Sequence, residues 1–244
     1  MFLPLHDGVP LAYLETPYVT RALIGGCVLV YLATVAGVVP IGENAIFAGL
    51  GLIPAVLFGY ESLPEGYALV PSPATLLTSL FLHGSLLHLL GNMLFLWVFG
   101  DNVEDAMGHW RFLFFYLACG VAAGLAHAFV YPESQRPLIG ASGAVAGVVA
   151  AYLILYPRTR IWGLFFGRIP LKIPAMFAIG AWILSQIVSA FLGGTDAIGW
   201  FAHLGGLLAG AALVLLLRRK VDPIAVRTAA AGTAAGPSSR LPLR

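Results

Sequence analysis

Leu138-Ile139-Gly140-Ala141-Ser142-Gly143-Ala144-Val145-Ala146-Gly147 is apolar and glycine-rich without interruption except for one hydroxyl. A second stretch, Trp200-Phe201-Ala202-His203-Leu204-Gly205-Gly206, has the same character and holds one imidazole. Polar groups at membrane depth are rare, because an unpaired one in hydrocarbon costs several kcal/mol. The surrounding composition fits a membrane: 59% of the 244 residues are hydrophobic and 10% charged, with a mean hydropathy of +0.90. Soluble domains carry roughly 25% charged residues, so a water-soluble globule is excluded. A net charge of +2 without a basic cluster gives no footprint for nucleic acid. Cys27 and Cys119 lie in apolar segments and read as small buried hydrophobes. The first twenty residues, with Pro4, His6, Asp7, Pro10, Glu15 and Pro17, do not read as a cleavable signal peptide.

Outward from these stretches, six segments are long enough to cross a bilayer, which takes about 20 apolar residues. They are Val19–Val39, Leu77–Phe99, Phe112–Val130, Ile139–Tyr156, Ile173–Leu192 and Trp200–Leu217. Ile46–Tyr60 is also apolar, but Gly49, Gly51, Pro54 and Gly59 interrupt it, so it reads as a re-entrant or interfacial part of the first loop. Loops one, three and five then hold Glu43, Glu61, Glu65, Glu133 and Asp196, with Arg136 as their one basic residue. The other twelve of the thirteen basic residues fall on the opposite face. The positive-inside rule makes that face, with both termini, cytoplasmic. The expected location is accordingly a cell membrane, of the bacterial inner-membrane kind. The expected organisation is an N-terminal segment 1–18, a membrane domain 19–217 and a disordered tail 218–244, where the sequence turns to Ala, Gly, Thr, Ser and Pro.

Three polar placements carry the chemistry. His88 and Asn92 are four apart and share a helical face, whereas His83 is rotated about 140° from His88 and suits the helix entry. His88 and Asn92 read equally as an interhelical hydrogen-bond pair. Ser142 taken alone reads as a packing serine bonded to its own backbone, and the soluble Gly-x-Ser-x-Gly elbow is absent because position 144 is Ala. Gly199, His203, Gly206 and Gly210 fall within about 60° on one helical face suited to close approach. A histidine there needs a partner on the neighbouring helix, and Ser142 is the natural one. Together they form a chemical set: a serine, a base to take its proton, and donors for an oxyanion in His88, Asn92 and the Ser142 backbone N–H. No acidic residue lies mid-span to orient the imidazole, so the set is a dyad. No zinc motif is present and no cofactor or metal is expected.

At these residues the chain resembles the rhomboid family of intramembrane serine proteases. The match comprises Gly140-Ala141-Ser142-Gly143, Ala202-His203-x-x-Gly206 and His83-x4-His88-x3-Asn92, and extends through Phe99-Gly100-Asp101-Asn102-Val103-Glu104-Asp105. It covers roughly residues 20 to 217. The resemblance implies an all-α integral membrane protein, a six-helix bundle with a partly inserted first loop. It implies Ser142 as nucleophile, His203 as base, and His88 and Asn92 as oxyanion-hole side chains. His83, Glu104, Gly206 and Gly210 would be structural, Glu104 as a carboxylate of the second loop; alone, Glu104 reads as a solvated charge. The implied partners are the lipid bilayer and a membrane-protein substrate, cut in its transmembrane segment near the outer face after a small residue. Oligomeric state stays open.

Two departures stand out. Many members carry Trp-Arg where this chain has Ala74 and Thr75, so its first loop must be anchored differently. Some members have a Tyr one turn after the nucleophile that stacks on the base; here it is Ala146, so another group must orient His203. The first loop and the fifth span, with Trp182, Gln186 and Phe191, are the expected substrate-facing elements. Two other readings remain at this stage: a non-proteolytic membrane adaptor, whose mark would be loss of Ser or His, and a small transporter using His88, Asn92 and His203. The transporter reading lacks an acidic residue in a span and internal symmetry.

Overall fold

The computed structural model describes residues 2–38, 40–165, 167–192 and 199–219. Asp196, Lys220 and the tail beyond it, where disorder was expected, lie outside the described residues. The membrane domain is mostly helical. Among the described residues, five helices are long and apolar enough to span: α1 (Tyr18–Val35), α5 (Leu86–Met107), α6 (His109–Val130), α8 (Ala175–Leu192) and α9 (Trp200–Leu217). A shorter one, α7 (Ser142–Leu155), completes the six segments. Three small helices, α2 (Glu43–Leu50), α3 (Pro54–Leu57) and α4 (Thr75–Thr78), lie in the first loop.

Helix α7 is the centre. Every residue from Gly143 to Tyr152 is buried, so it is enclosed by protein on all sides. It packs on α5, α6 and most closely on α9. Small residues make that approach possible. A methyl group at Gly206 would overlap the Gly143 carbonyl, and one at Gly210 the Gly147 carbonyl. Fourteen residues of helix span about 21 Å, less than the hydrocarbon thickness of about 30 Å. With its C-terminus at the face carrying Arg158 and Arg160, α7 therefore begins at Ser142 inside the membrane thickness.

Helix α8 packs only lightly on the central α7. Met176, Phe177, Leu184, Phe191 and Leu192 are all exposed, which suits lipid contact.

The expected second span, Leu77–Phe99, is corrected. The chain forms α4, then a 3₁₀ turn Ser79–Phe81, breaks, and restarts as α5. Ser85 is extended at φ −162° and its Oγ accepts from His88 N at 3.2 Å, which caps the new helix. The helix then runs to Met107, so Glu104 is in its last turn and not in a loop. Gly108, at φ +84°, turns the chain directly into α6.

A three-stranded antiparallel sheet on the basic face was not anticipated. β1 (Phe2–His6) pairs with β2 (Arg160–Phe165), which pairs with β3 (Ile169–Pro174), and β3 leads straight into α8. Burial of Ile161 fixes β2 against the core. Asp7, just after β1, accepts from Tyr152 Oη at 2.7 Å and Asn102 Nδ2 at 2.8 Å. Desolvation there outweighs these bonds and holds the Asp7 carboxyl above the ordinary range.

Candidate active site

Ser142 is the first residue of α7, and Gly140 at φ +116° makes the turn into it. A side chain at Gly140 would strain this backbone, and its Cβ would lie 2.6 Å from His88 Cε1. The Gly140 N–H donates to the Ser79 carbonyl at 2.9 Å, tying the turn to the break before α5. The first loop secures the same approach from the other side. Leu52 and Leu138 exchange backbone hydrogen bonds at 3.0 and 2.8 Å, and Ala55 N donates to Ser134 O. Thr78 Oγ1 donates to Leu50 O at 2.6 Å. These contacts replace the anchor expected to differ at Ala74 and Thr75.

The close contact of α7 with α9 brings Ser142 and His203 together. His203 Nε2 lies 2.9 Å from Ser142 Oγ. Ser142 is thus not bonded back to its own helix. Because it opens α7, its backbone N–H belongs to the first turn, which has no intrahelical acceptor, and the positive end of the helix dipole lies beside its Oγ.

His88 and Asn92 line a cavity of about 250 Å³ together with Ser142, Val145, Trp182 and His203. Asn92 is buried, and its Nδ2 has no hydrogen-bond partner among the described residues. A buried donor without an acceptor is costly unless something else uses it. His83 lies outside this cavity, before α5. Its Nδ1 is 3.3 Å from Phe81 O and its ring packs edge-on against His88 at 5.1 Å. Gly206 and Gly210 lie at the α7–α9 contact.

Glu104 is far from this cavity, at the basic end of α5, and is fully buried. It accepts from Val19 N, Thr20 N and Thr20 Oγ1 at 3.0, 2.7 and 2.7 Å, and pairs with His109. It therefore caps the start of α1, where Pro17 offers no side-chain acceptor. Neighbouring Asp105 accepts from the backbone N–H groups of Ala12, Tyr13 and Leu14.

One residue of the site was assigned elsewhere. Gln186 was expected on the substrate-facing side of the fifth span, but it is buried and its Oε1 lies 2.7 Å from His203 Nδ1. An amide in the middle of an apolar helix was the available signal. Hydropathy could not say which way it pointed. Trp182 and Trp200 flank the His203 ring at 6.4 and 5.9 Å, in the absence of a tyrosine at Ala146.

Comparisons with known proteins agree with this architecture. A model of the Rhomboid domain matches residues 71–220. Rhomboid protein 1, mitochondrial, of Saccharomyces cerevisiae is 31% identical, over 69% of this chain and 51% of its own length. Rhomboid-like protein 11, chloroplastic, of Arabidopsis thaliana is 31% identical, over 67% of this chain and 56% of its own. Presenilin-associated rhomboid-like protein, mitochondrial, of Homo sapiens is 29% identical, over 72% and 46%. The chain thus spans about half the length of these curated relatives. Their names correct the expected location. They are mitochondrial and chloroplastic proteins, which points to organellar membranes and not to the expected bacterial inner membrane. The matched domain covers α4 through α9 and every residue of the cavity, and on that ground the chain belongs to the rhomboid family.

Proposed function

We propose that this chain is an intramembrane serine endopeptidase acting on transmembrane segments of other membrane proteins. The observation that carries the reading is the 2.9 Å contact between Ser142 Oγ and His203 Nε2 at the wall of a cavity. Neither an adaptor nor a transporter requires that pair.

In this reading His203 Nε2 takes the Ser142 proton as Oγ attacks the scissile carbonyl carbon. The carbonyl π electrons move to oxygen and form a tetrahedral oxyanion. Three donors line the same cavity and are available to it: the Ser142 N–H, Asn92 Nδ2, which has no partner among the described residues, and the His88 ring. Collapse of the intermediate breaks the C–N bond, and His203 returns its proton to the leaving amine. Water, activated by the same imidazole, then hydrolyses the acyl-serine.

The substrate class follows from the setting. A peptide bond within a helix is shielded by its own backbone hydrogen bonds, so the substrate must unwind locally, and helix-breaking residues ease this step. The resemblance to the rhomboid family implies a small residue before the cleaved bond. Ser142 and His203 both lie toward the ends of their helices nearest the acidic loops, so cleavage falls near that face. His83, Glu104, Gly206 and Gly210 act structurally, holding α5, α1 and the α7–α9 contact.

Purified protein in lipid vesicles is expected to cleave a model transmembrane substrate containing a helix-breaking residue. Ser142→Ala and His203→Ala should each abolish the cleavage. Persistent cleavage by Ser142→Ala overturns the proposal.

A further inference from the structure

We infer that Gln186 is the positioning residue of this site, a neutral third member that fixes the His203 tautomer in place of a carboxylate or a stacking tyrosine. The inference rests on the Ser142–His203 reading above and adds the group that holds the base.

The polarity of the hydrogen bonds decides the matter. The Trp182 carbonyl can only accept. Ser185 Oγ donates to it at 2.6 Å, and Gln186 Nε2 faces the same carbonyl at 3.4 Å and Ser185 Oγ at 3.0 Å. The amide nitrogen of Gln186 therefore lies on the Trp182 side, and its carbonyl oxygen must face His203. Oε1 has no proton, so His203 Nδ1, 2.7 Å away, must donate. A neutral imidazole has one N–H, so Nε2 carries the lone pair, and it points at Ser142 Oγ. The hydroxyl of Ser142 then donates to Nε2. Every donor in the chain runs one way: Ser142 to His203, His203 to Gln186, Gln186 to Ser185, and Ser185 to the Trp182 carbonyl. This is the tautomer that a base needs, set before any substrate arrives.

A neutral amide differs from a carboxylate in one respect. Both accept from Nδ1–H, but only the carboxylate stabilises the imidazolium by charge. Among the described residues, the ionisable side chains that face His203 are His88 from α5 and His127 from α6, neither of which can supply negative charge, while α7 and α8 present the neutral Ser142 and Gln186. Gln186 thus gives orientation without electrostatic pull. Its carrier, α8, packs less closely on α7 and α9 than those two pack on each other, and it follows directly from β3. A shift of α8 would therefore release the base without touching Ser142.

Two variants test this in the full-length protein, with rates normalised to folded protein. Gln186→Met keeps the volume and removes the acceptor; kcat is expected to fall about 10–10²-fold with KM within about twofold, because the tautomer is no longer fixed. Gln186→Glu keeps the acceptor and adds charge; it is expected to retain cleavage and to move the acid limb of the kcat/KM profile upward by about 1 pH unit or more. A kcat for Gln186→Met within about threefold of wild type, or an acid limb unmoved in Gln186→Glu, overturns the assignment; a packing role alone would lower stability in both variants and leave the limb in place. Ser142→Ala, run alongside, separates the two questions, since cleavage by that variant refutes the dyad itself.

Discussion

Replacing Gly206 with Ala adds one methyl group at the tightest contact in the bundle. That methyl would overlap the Gly143 carbonyl of α7, which is backbone and cannot rotate away. To restore ordinary contact, α9 must retreat from α7 by on the order of 1 Å, at an overpacking cost of about 1–3 kcal/mol. His203 lies one turn from Gly206 on the same rigid helix. Its 2.9 Å contact with Ser142 Oγ would open to about 4 Å, outside hydrogen-bond range. A misplacement of about 1 Å costs roughly 10²-fold in rate. The assay is cleavage of a transmembrane substrate in vesicles, read beside thermal unfolding in mild detergent. Gly180→Ala is the control, since a methyl there meets nothing within 4 Å. It should leave the rate unchanged and raise stability slightly through helix propensity. Wild-type rate and stability in Gly206→Ala would refute the claim that this glycine sets the Ser142–His203 distance.

Other expectations follow from single contacts. Asn92→Ala removes the partnerless donor and should lower kcat by about 10²–10³-fold with little change in KM, read from steady-state kinetics; an unchanged kcat removes Asn92 from the oxyanion site. Glu104→Ala strands the N–H groups and hydroxyl at the start of α1, two of them on buried Thr20, and should cost about 2–4 kcal/mol in detergent unfolding. Residual rate per folded molecule should stay near wild type, because Glu104 is remote from the cavity. Asp7 gives a pH dependence with a definite sign. Its folded-state affinity for the proton is raised by burial, so its stabilising contribution is complete below the unfolded carboxyl range and is lost as pH rises through the higher folded value. Amide exchange at Leu3 and Leu5 in β1 should therefore quicken, beyond the intrinsic rate, across that window, and Asp7→Asn should abolish the effect.

The spans were legible because length and apolarity suffice to find them, and α9 falls on its expected bounds. The interruption between Phe81 and Leu86 was legible only in part: His83 suited a helix entry, but the span was drawn from Leu77 because averaged hydropathy absorbs His83-Gly84-Ser85 into the apolar residues on either side. The local signal for the restart was Ser85 three residues before His88, the spacing of an N-cap. The sheet was hidden for another reason: Leu3 pairs with Leu164 across most of the chain, and no local pattern encodes so distant a partner. The close approach of α7 and α9 was readable from the spacing of Gly199, His203, Gly206 and Gly210. The rotation of α8 was not, since that helix is apolar on every face, and Gln186 was accordingly placed toward the substrate. What the sequence left open about His203 was a matter of helix rotation alone.

The dyad is tested most directly by a fluorophosphonate probe, with the adduct located by mass spectrometry. Wild type should be modified at Ser142, Ser142→Ala should not react, and His203→Ala should react more slowly by about 10²-fold or more. Modification of His203→Ala at the wild-type rate, or an adduct on any other residue, would contradict it.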